Sequence, residues 1–181
     1  MIGIIHHNTW EDNMTKTAAY WIDRLNLSVH PEGGHYRESY RSPLPLAQES
    51  LPLRYGGDRV ASTAIYFLLA HGEVSLFHRL KSDEIWHFYN GACLNIHQID
   101  SAGVYRQEVL GPNVENGEQF QIVVYHNTWV AAEVPSPGSF TLVGCTVAPG
   151  FEFADFEMGD RETLIRTFPD CEDIIKQCTR P

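Results

Sequence analysis

The sequence predicts an all-β fold of the jelly-roll or small-barrel type, with a helix before it and a short helix after it. Between residues 60 and 158, short β-branched and aromatic segments alternate with Gly, Pro, Asn, Asp or Ser at intervals of about 8–12 residues. No helical pattern interrupts them, which excludes a βαβ architecture. The length of 181 residues suits one domain. Many short strands in one domain are typical of sandwiches, jelly rolls and barrels.

The first predicted element is an amphipathic helix over about 14–26. Apolar side chains recur there at helical spacing, at Ala18, Trp21, Ile22 and Leu25. Thr15 or Asn13 would cap its start, and Asn26 lies near its end. We expect this helix to cover another layer of the fold.

The predicted barrel occupies about 30–158, and its strands are short. Residues 43–59 carry several Pro and Gly and are predicted to form a loop. The tail over about 162–178 is predicted to be helical, with Asp170 as its cap. The predicted strands cover 60–70, 73–80, 84–90, 93–100, 103–110, 119–125, 129–134, 139–147 and 151–158.

The net charge of −10 limits the partners of the protein. An acidic chain without a Lys/Arg cluster is unsuited to nucleic acid or to an anionic membrane surface. The acidic residues at 152–162 are predicted to form a solvated rim of the barrel. The four cysteines form no CxxC pair, and no apolar run has the length of a membrane span or the pattern of a leader. We therefore expect a soluble cytoplasmic protein.

The stretch from Gly72 to Gly91 contains the ionisable pair best suited to chemistry. One strand ends near residue 80, a polar turn follows, and a second strand returns antiparallel. Across such a hairpin His78 and Glu84 can lie on one face, an imidazole beside a carboxylate. The pair could act as a general acid and base, or it could supply half of a metal site.

This stretch, GEVSLFHRLKSDEIWHFYNG, resembles the first motif of the cupin superfamily. The motif combines a Gly, a His-x-His pair, a Glu and a second Gly. The chain has Gly72, His78, Glu84 and Gly91 at the motif's spacing, with Leu80 in place of the second His. His78 and Glu84 are therefore the candidate catalytic residues.

Two further segments narrow the resemblance to the cupin 5 family. These segments are HPEGGHYRESYRS (His30–Ser42) and LVGCTVAPGFEFADFEM (Leu142–Met158). The resemblance implies a cupin double-stranded β-helix, a jelly-roll barrel, and a single cupin domain over 1–181.

The second cupin motif normally forms a turn and then supplies a His that completes a metal site. The matching stretch is VVYHNTWVAAEV, where Asn127 stands at the turn and Val130 near the expected His. Asn tolerates the left-handed backbone of such a turn. Leu80 and Val130 cannot bind a metal, so two of the expected ligands are missing. We expect a metal-free or weakly metalled site, and no cofactor.

Aromatic side chains are predicted to surround this site. If Glu84 faces the cavity, alternation along the strand places Trp86 and Phe88 on the same face, whereas His87 points away. Trp86, Phe88, Trp129 and His126 are the candidate ligand-binding residues. Aromatic residues inside a small barrel can equally be core filler, and this alternative stays open for all three aromatic residues. The remaining histidines (His6, His7, His30, His71 and His97) share no spacing and are assigned no role.

The segment from His35 to Arg41 alternates polar and aromatic residues. The resemblance implies an early strand that crosses to a neighbouring subunit, and we expect a homodimer that covers an open sheet edge in this way. A solvent-facing strand with local ion pairs is the alternative.

Three functions remain open. The first is a cupin that binds a small polar metabolite and acts as a metal-independent isomerase or epimerase of a sugar or keto acid, with His78 transferring the proton and Glu84 as its partner. The second is a non-catalytic ligand-binding or sensor module. The third, a metal-dependent oxygenase, is disfavoured by Leu80 and Val130.

Overall fold

Two antiparallel sheets enclose a common apolar core in the computed structural model, which describes residues 16–181. In chain order the strands are β1 (Ser28–Val29), β2 (His35–Arg41), β3 (Pro45–Leu46), β4 (Arg59–Val60), β5 (Thr63–Ala70), β6 (Val74–Leu80), β7 (Asp83–Gly91), β8 (Leu94–Ile99), β9 (Tyr105–Leu110), β10 (Gln121–Val124), β11 (Trp129–Glu133), β12 (Phe140–Ala148) and β13 (Phe156–Met158). The helices are α1 (Ala18–Arg24), α2 (Arg161–Thr167) and α3 (Glu172–Gln177).

The chain alternates between the two sheets, which is the connectivity of a jelly roll. The six-stranded sheet has the order β1-β2-β5-β12-β7-β10, and the five-stranded sheet has the order β13-β6-β11-β8-β9. From β5 to β8 and again from β9 to β13, each strand pairs in the sheet opposite to that of the strand before it. The predicted all-β fold with flanking helices is confirmed, and it is a double-stranded β-helix.

Helices cover the outer faces of both sheets. The helix α1 packs Trp21 and Ile22 against Leu68 and Leu142 of the six-stranded sheet. The helices α2 and α3 cover the five-stranded sheet through a cluster that includes Leu164. Each sheet therefore turns one face to the inter-sheet core and part of its other face to a helix.

The helix α1 is shorter than predicted. It begins after Thr17, whose hydroxyl accepts a hydrogen bond from the Tyr20 amide at 3.2 Å. The predicted caps Thr15 and Asn13, like His6 and His7, lie outside the described residues. Asn26 follows the helix with a φ of 50°, a left-handed conformation that stops the helical path.

The predicted C-terminal helix is divided into two. Asp160 caps α2 by accepting from the Thr163 amide at 2.9 Å, whereas Asp170 does not cap a helix by its side chain. Pro169 opens a 3₁₀ turn between α2 and α3, where its missing N–H and fixed φ prevent one continuous helix. None of the helices in residues 16–181 has the length and apolarity needed to cross a membrane.

The predicted strand over 151–158 is reduced to β13, and a loop with a 3₁₀ turn at Phe153–Asp155 precedes it. The predicted loop 43–59 contains the short strand β3 and leads into β4. Asp155 belongs to the predicted acidic rim, but the structure buries it in a two-pronged ion pair with Arg59. The interpretation of Asp155 as a solvated residue is therefore wrong.

The strand β2 pairs with β1 and β5 of its own chain. Its predicted crossing to a second subunit stays a prediction, as does the homodimer.

Candidate functional site

A cavity of about 320 Å³ lies between the two sheets, beside the loop that joins β12 to β13. This volume is at the small end of the range of ligand pockets, roughly 300–1,000 Å³. Six aromatic side chains contribute to its walls: Tyr36, Phe67, Trp86, Phe151, Phe153 and Phe156. The ionisable side chains of the lining fall into two groups, an inner one with His78 and Glu84 and an outer one around Arg41.

A β-bulge in β6 places two polar side chains on the cavity side of the strand. His78 stands opposite Val130 and Ser75 opposite Ala132, so β6 has one residue more than β11 over this interval. Such a bulge allows Ser75 and His78 to face the same side, although regular alternation would separate them. Both side chains are buried.

A tight turn between β1 and β2 brings Glu32 to the same place. Gly33 and Gly34 have φ of 113° and 68°, which glycine adopts without strain. A Cβ at Gly33 would collide with the Val74 carbonyl, so glycine permits the close approach of the turn to β6. The Leu76 amide then donates to the Glu32 carbonyl at 2.8 Å, which fixes the turn against the bulge.

Glu32 is the carboxyl group that contacts His78. Its Oε2 atom lies 3.3 Å from His78 Nε2 and 3.3 Å from His30 Nδ1, and its Oε1 atom accepts from the Ser75 hydroxyl at 2.8 Å. Glu84 lines the same cavity, but neither of its carboxyl oxygens lies within 4.0 Å of a His78 ring nitrogen. The sequence analysis names Glu84 as the partner, whereas the direct partner in the structure is Glu32.

The hydrogen bonds determine where the proton of this cluster lies. His78 Nδ1 is 2.8 Å from the Leu76 carbonyl oxygen, which can only accept, so Nδ1 carries the hydrogen. In neutral His78 the Nε2 atom is therefore an acceptor, and it faces Glu32. His30 Nδ1 is also an acceptor, because the Glu32 amide donates to it at 3.4 Å. A proton on Glu32 satisfies this arrangement, since its carboxyl then donates to a ring nitrogen.

Burial shifts the pKa of each group in the direction that this arrangement requires. Desolvation raises the pKa of Glu32 to about 8, against the opposing effect of the Ser75 hydrogen bond. Desolvation lowers the pKa of His78, and it lowers the pKa of His30 to about 4, with a smaller contribution from the His78 charge. At neutral pH the cluster therefore consists of two neutral imidazoles and a protonated carboxyl group.

Glu84 is a second buried carboxyl group in the cavity. Its Oε2 atom accepts from Trp86 Nε1 at 2.8 Å. Desolvation raises its pKa to about 7, the His78 charge opposes this rise, and the Glu32 charge adds to it. Desolvation also raises the pKa of the neighbouring Cys145 thiol. Glu84 can therefore give or take a proton near neutral pH, which is a property of catalytic carboxyl groups.

At the outer side of the cavity, Arg41 is held by two carboxylates. Glu38 accepts from Arg41 Nε at 3.1 Å and from Nη2 at 2.8 Å. Glu152 accepts from Nη1 at 2.8 Å, and the Phe151 carbonyl accepts from Nη2 at 3.3 Å. All four of these residues line the cavity.

The structure brings together three of the candidate residues, and it separates three others from them. His78, Glu84 and Trp86 line the cavity. Phe88 packs against the inter-sheet core. Trp129 lies on the opposite face of the five-stranded sheet, in the cluster under α2 and α3, with the Arg79 guanidinium 4.6 Å from its ring centre.

His126 is the third residue that lies away from the cavity. It is on the surface, where its backbone amide and its ring nitrogen Nδ1 contact Asp83 Oδ1 at 2.8 and 2.9 Å. Asn127, in the same turn, has the left-handed backbone expected of it, with a φ of 62°.

Sequence reasoning missed Glu32 and His30. Both lie in the His30–Ser42 segment that carries the family resemblance, directly before the Gly33-Gly34 pair. That pair was the available signal, because adjacent glycines between a short strand and a longer one indicate a turn that can enter a protein interior. The contact with His78 also depends on the bulge in β6, for which the sequence has no marker.

The residues of the cavity do not fit the metal site of a cupin. Leu80 and Val130 occupy two of the expected ligand positions, and Val130 is buried in the apolar core. Within residues 16–181, no three side chains of His, Cys, Asp or Glu are placed to hold a metal ion. We therefore derive no chemical step through a metal.

Similar proteins were found among solved structures. A hypothetical protein from Leishmania major is 36% identical over 91% of this chain and 99% of its own, with a TM-score of 0.83. A protein from Shewanella oneidensis is 38% identical over 91% of this chain and 98% of its own, with a TM-score of 0.81. A cupin 2 domain-containing protein from Halorhodospira halophila shares the fold at 12% identity and a TM-score of 0.53, over 85% of this chain and 88% of its own.

The search of curated proteins gave no match. The family model described as "Cupin superfamily (DUF985)" matches residues 19–159, an interval that contains both sheets, the Glu32 turn and the β6 bulge. With this match, and with two close structural relatives over nine-tenths of its length, the chain belongs to the DUF985 family of the cupin superfamily.

Proposed function

We propose that the cavity binds a small polar carbonyl compound, such as a sugar or a keto acid, and catalyses its isomerisation or epimerisation without a metal. In this reaction a base removes a proton from the carbon beside a carbonyl group, and the proton is returned at a different carbon or on the other face. The protein needs a base, an acid near the carbonyl oxygen, and a site that excludes water.

The observation that carries the proposal is the orientation of His78. Its Nδ1–H group is fixed on the Leu76 carbonyl at 2.8 Å, so the unprotonated Nε2 atom is presented on the side of Glu32, inside the cavity. Desolvation lowers the pKa of this ring, so His78 is a neutral base at neutral pH. A fixed tautomer whose second ring nitrogen can accept a proton is what a general base requires.

Glu84 supports the proposal as an acid. Burial raises its pKa to about 7, and its Oε2 atom is held by the Trp86 indole at 2.8 Å. A carboxyl group that is partly protonated at neutral pH can donate a hydrogen bond to a carbonyl oxygen and stabilise the negative charge that develops there. Glu32 does not touch the substrate carbon in this scheme and lies 3.3 Å from His78 Nε2, so it is a positioning residue for the base.

The proposal is tested by hydrogen exchange at carbon in heavy water. Simple aldoses, ketoses and keto acids are incubated with the protein, and NMR follows the loss of the C–H signal beside the carbonyl group. We expect exchange with at least one of these compounds, and a fall of about 100-fold or more in His78→Gln, since a positioned acid–base group typically contributes about 10²–10⁴ to the rate.

The matched control is His87→Gln on the outer face of β7, where His87 contacts Thr146 and Gln121 rather than the cavity. This variant keeps the exchange rate, and thermal unfolding shows whether each variant is folded. Exchange that survives in folded His78→Gln contradicts the assignment of the base. A ligand that binds without exchange or product indicates the binding or sensor module instead.

Metal analysis of protein purified without a chelator separates this proposal from an oxygenase. We expect less than stoichiometric metal, because Leu80 and Val130 offer no ligand atoms. Stoichiometric metal whose removal abolishes turnover contradicts a metal-independent reaction.

A further inference from the structure

We infer that the ligand of the cavity is an uncharged polyhydroxy carbonyl compound, and that the cavity rejects the phosphate esters and carboxylates of the same size. This inference rests on the proposed function, because it selects among the carbonyl compounds that the reaction could use. It follows from the charges that line the cavity and from the hydrogen bonds that already occupy them.

Within residues 16–181, Arg41 is the one lysine or arginine that lines the cavity. A guanidinium group has five N–H donors. Arg41 donates four hydrogen bonds, two to Glu38, one to Glu152 and one to the Phe151 carbonyl. Arg41 is therefore a neutralised part of the wall rather than a receptor for an anion.

The remaining ionisable groups of the cavity are acidic or neutral. Four glutamates line it, namely Glu32, Glu38, Glu84 and Glu152. His30 and His78 do not supply positive charge at neutral pH, because burial lowers the pKa of both rings. A phosphate or carboxylate in the cavity would lose its hydration without meeting an unpaired cation, which is a large free-energy penalty.

An uncharged hydroxyl-rich ligand meets none of this penalty. The protonated Glu32, the partly protonated Glu84 and the His78 ring offer both donors and acceptors for hydroxyl and carbonyl groups. The aromatic walls, including Trp86 and Phe67, offer apolar faces for the C–H side of a sugar ring. The small volume of about 320 Å³ suits a monosaccharide rather than a nucleotide sugar.

The test compares uncharged sugars with charged derivatives of the same sugars. Binding of glucose, fructose and ribose is measured at neutral pH by ligand-observed NMR and calorimetry, each beside its terminal phosphate ester, with glucosamine as a cationic analogue of glucose. We expect at least one uncharged sugar to bind, and its phosphate ester to bind at least about tenfold more weakly, since unpaired polar groups discriminate strongly between analogues.

A phosphate ester or keto acid that binds as tightly as the uncharged sugars overturns the inference. If that compound also undergoes exchange of its C–H hydrogen, and His78→Gln abolishes this exchange, the proposed function stands although the inference about charge fails. Tighter binding of glucosamine than of glucose also overturns it, because the site would then select a cation. If no compound of either panel binds, the inference and the proposed function both fail.

A variant tests the role of the neutralised arginine. Glu152→Gln removes the negative charge beside Arg41 Nη1, so we expect affinity for the phosphate ester to rise by about threefold or more, whereas affinity for the uncharged sugar changes by less than about twofold. The matched control is Glu157→Gln, which breaks a similar exposed pair with Arg79 outside the cavity and leaves both affinities unchanged. An equal change for both ligands in Glu152→Gln overturns the role assigned to Arg41.

Discussion

Two buried carboxyl groups of this protein have similar exposure and opposite surroundings. Glu32 and Asp155 are both 5% exposed. Asp155 receives two hydrogen bonds from Arg59, and Lys81 lies 3.5 Å away. Glu32 receives one hydrogen bond from the neutral Ser75 hydroxyl and faces two imidazoles.

The difference shows that burial alone does not indicate which carboxyl group is suited to proton transfer. An arginine partner pairs with a buried carboxylate through two hydrogen bonds, and the pair then holds two segments together, here the start of β4 and the loop before β13. A carboxyl group without a cationic partner keeps its proton instead, and desolvation brings its pKa into the range in which enzymes transfer protons. The first arrangement stabilises the fold, whereas the second costs stability and supplies reactivity.

The largest expected effect is on the structural pair. Asp155→Asn leaves the buried Arg59 guanidinium without its counter-charge, so we expect the free energy of unfolding to fall by about 3 kcal/mol or more in a urea titration. The exposed Glu157→Gln removes a pair with Arg79 and should cost at most about 1 kcal/mol. Equal losses in the two variants would contradict the distinction between the buried pair and a surface pair.

The second effect is a pH dependence that comes from Glu32. Its pKa in the folded state is about 8, above the ordinary value of 4.5, so the folded protein retains a proton that the unfolded chain releases between these values. The contribution of Glu32 to stability is therefore complete below the lower value and is lost as the pH rises toward the higher one.

Glu32→Gln removes this dependence, so its stability relative to the wild type should improve by roughly 2 kcal/mol between about pH 6 and about pH 8. Urea titrations of both proteins at several pH values measure this difference. Parallel pH profiles of the two proteins would show that Glu32 does not retain its proton on folding.

The smallest effect concerns the hydroxyl group that donates to Glu32. The Ser75 hydrogen bond favours the charged carboxylate, so Ser75→Ala should raise the pKa of Glu32 further, by an amount equivalent to about 1 kcal/mol or less. Carbon NMR of the labelled carboxyl group measures this pKa. A lower pKa in Ser75→Ala would contradict the assignment of the hydroxyl as a donor to the carboxylate.

The sequence was sufficient for the fold and for part of the site. Strand spacing and the motif around His78 predicted the jelly roll, and alternation along β7 placed Glu84 and Trp86 in the cavity. Those predictions depend on local regularities, namely the two-residue period of a strand and the turns between strands, which are visible in one sequence.

Other placements depend on contacts between distant segments. Trp129 faces the C-terminal helices because its neighbour Val130 takes the inward position opposite His78, and one residue decides the face. Glu32 reaches His78 from 46 positions earlier in the numbering, through a glycine turn and a bulge. The burial of Asp155 likewise required knowing that β4 passes beside the loop before β13.

The bulge in β6 makes the proposed chemistry sensitive to chain length rather than to residue identity alone. Deleting one of the two residues between Ser75 and His78 would restore regular pairing with β11 and would leave both side chains on the inner face. One residue would then have to replace both Leu76, whose backbone contacts Glu32 and His78, and Phe77, which packs under the C-terminal helices. The extra residue of the bulge therefore separates the backbone contacts of the site from the side-chain packing of the outer layer.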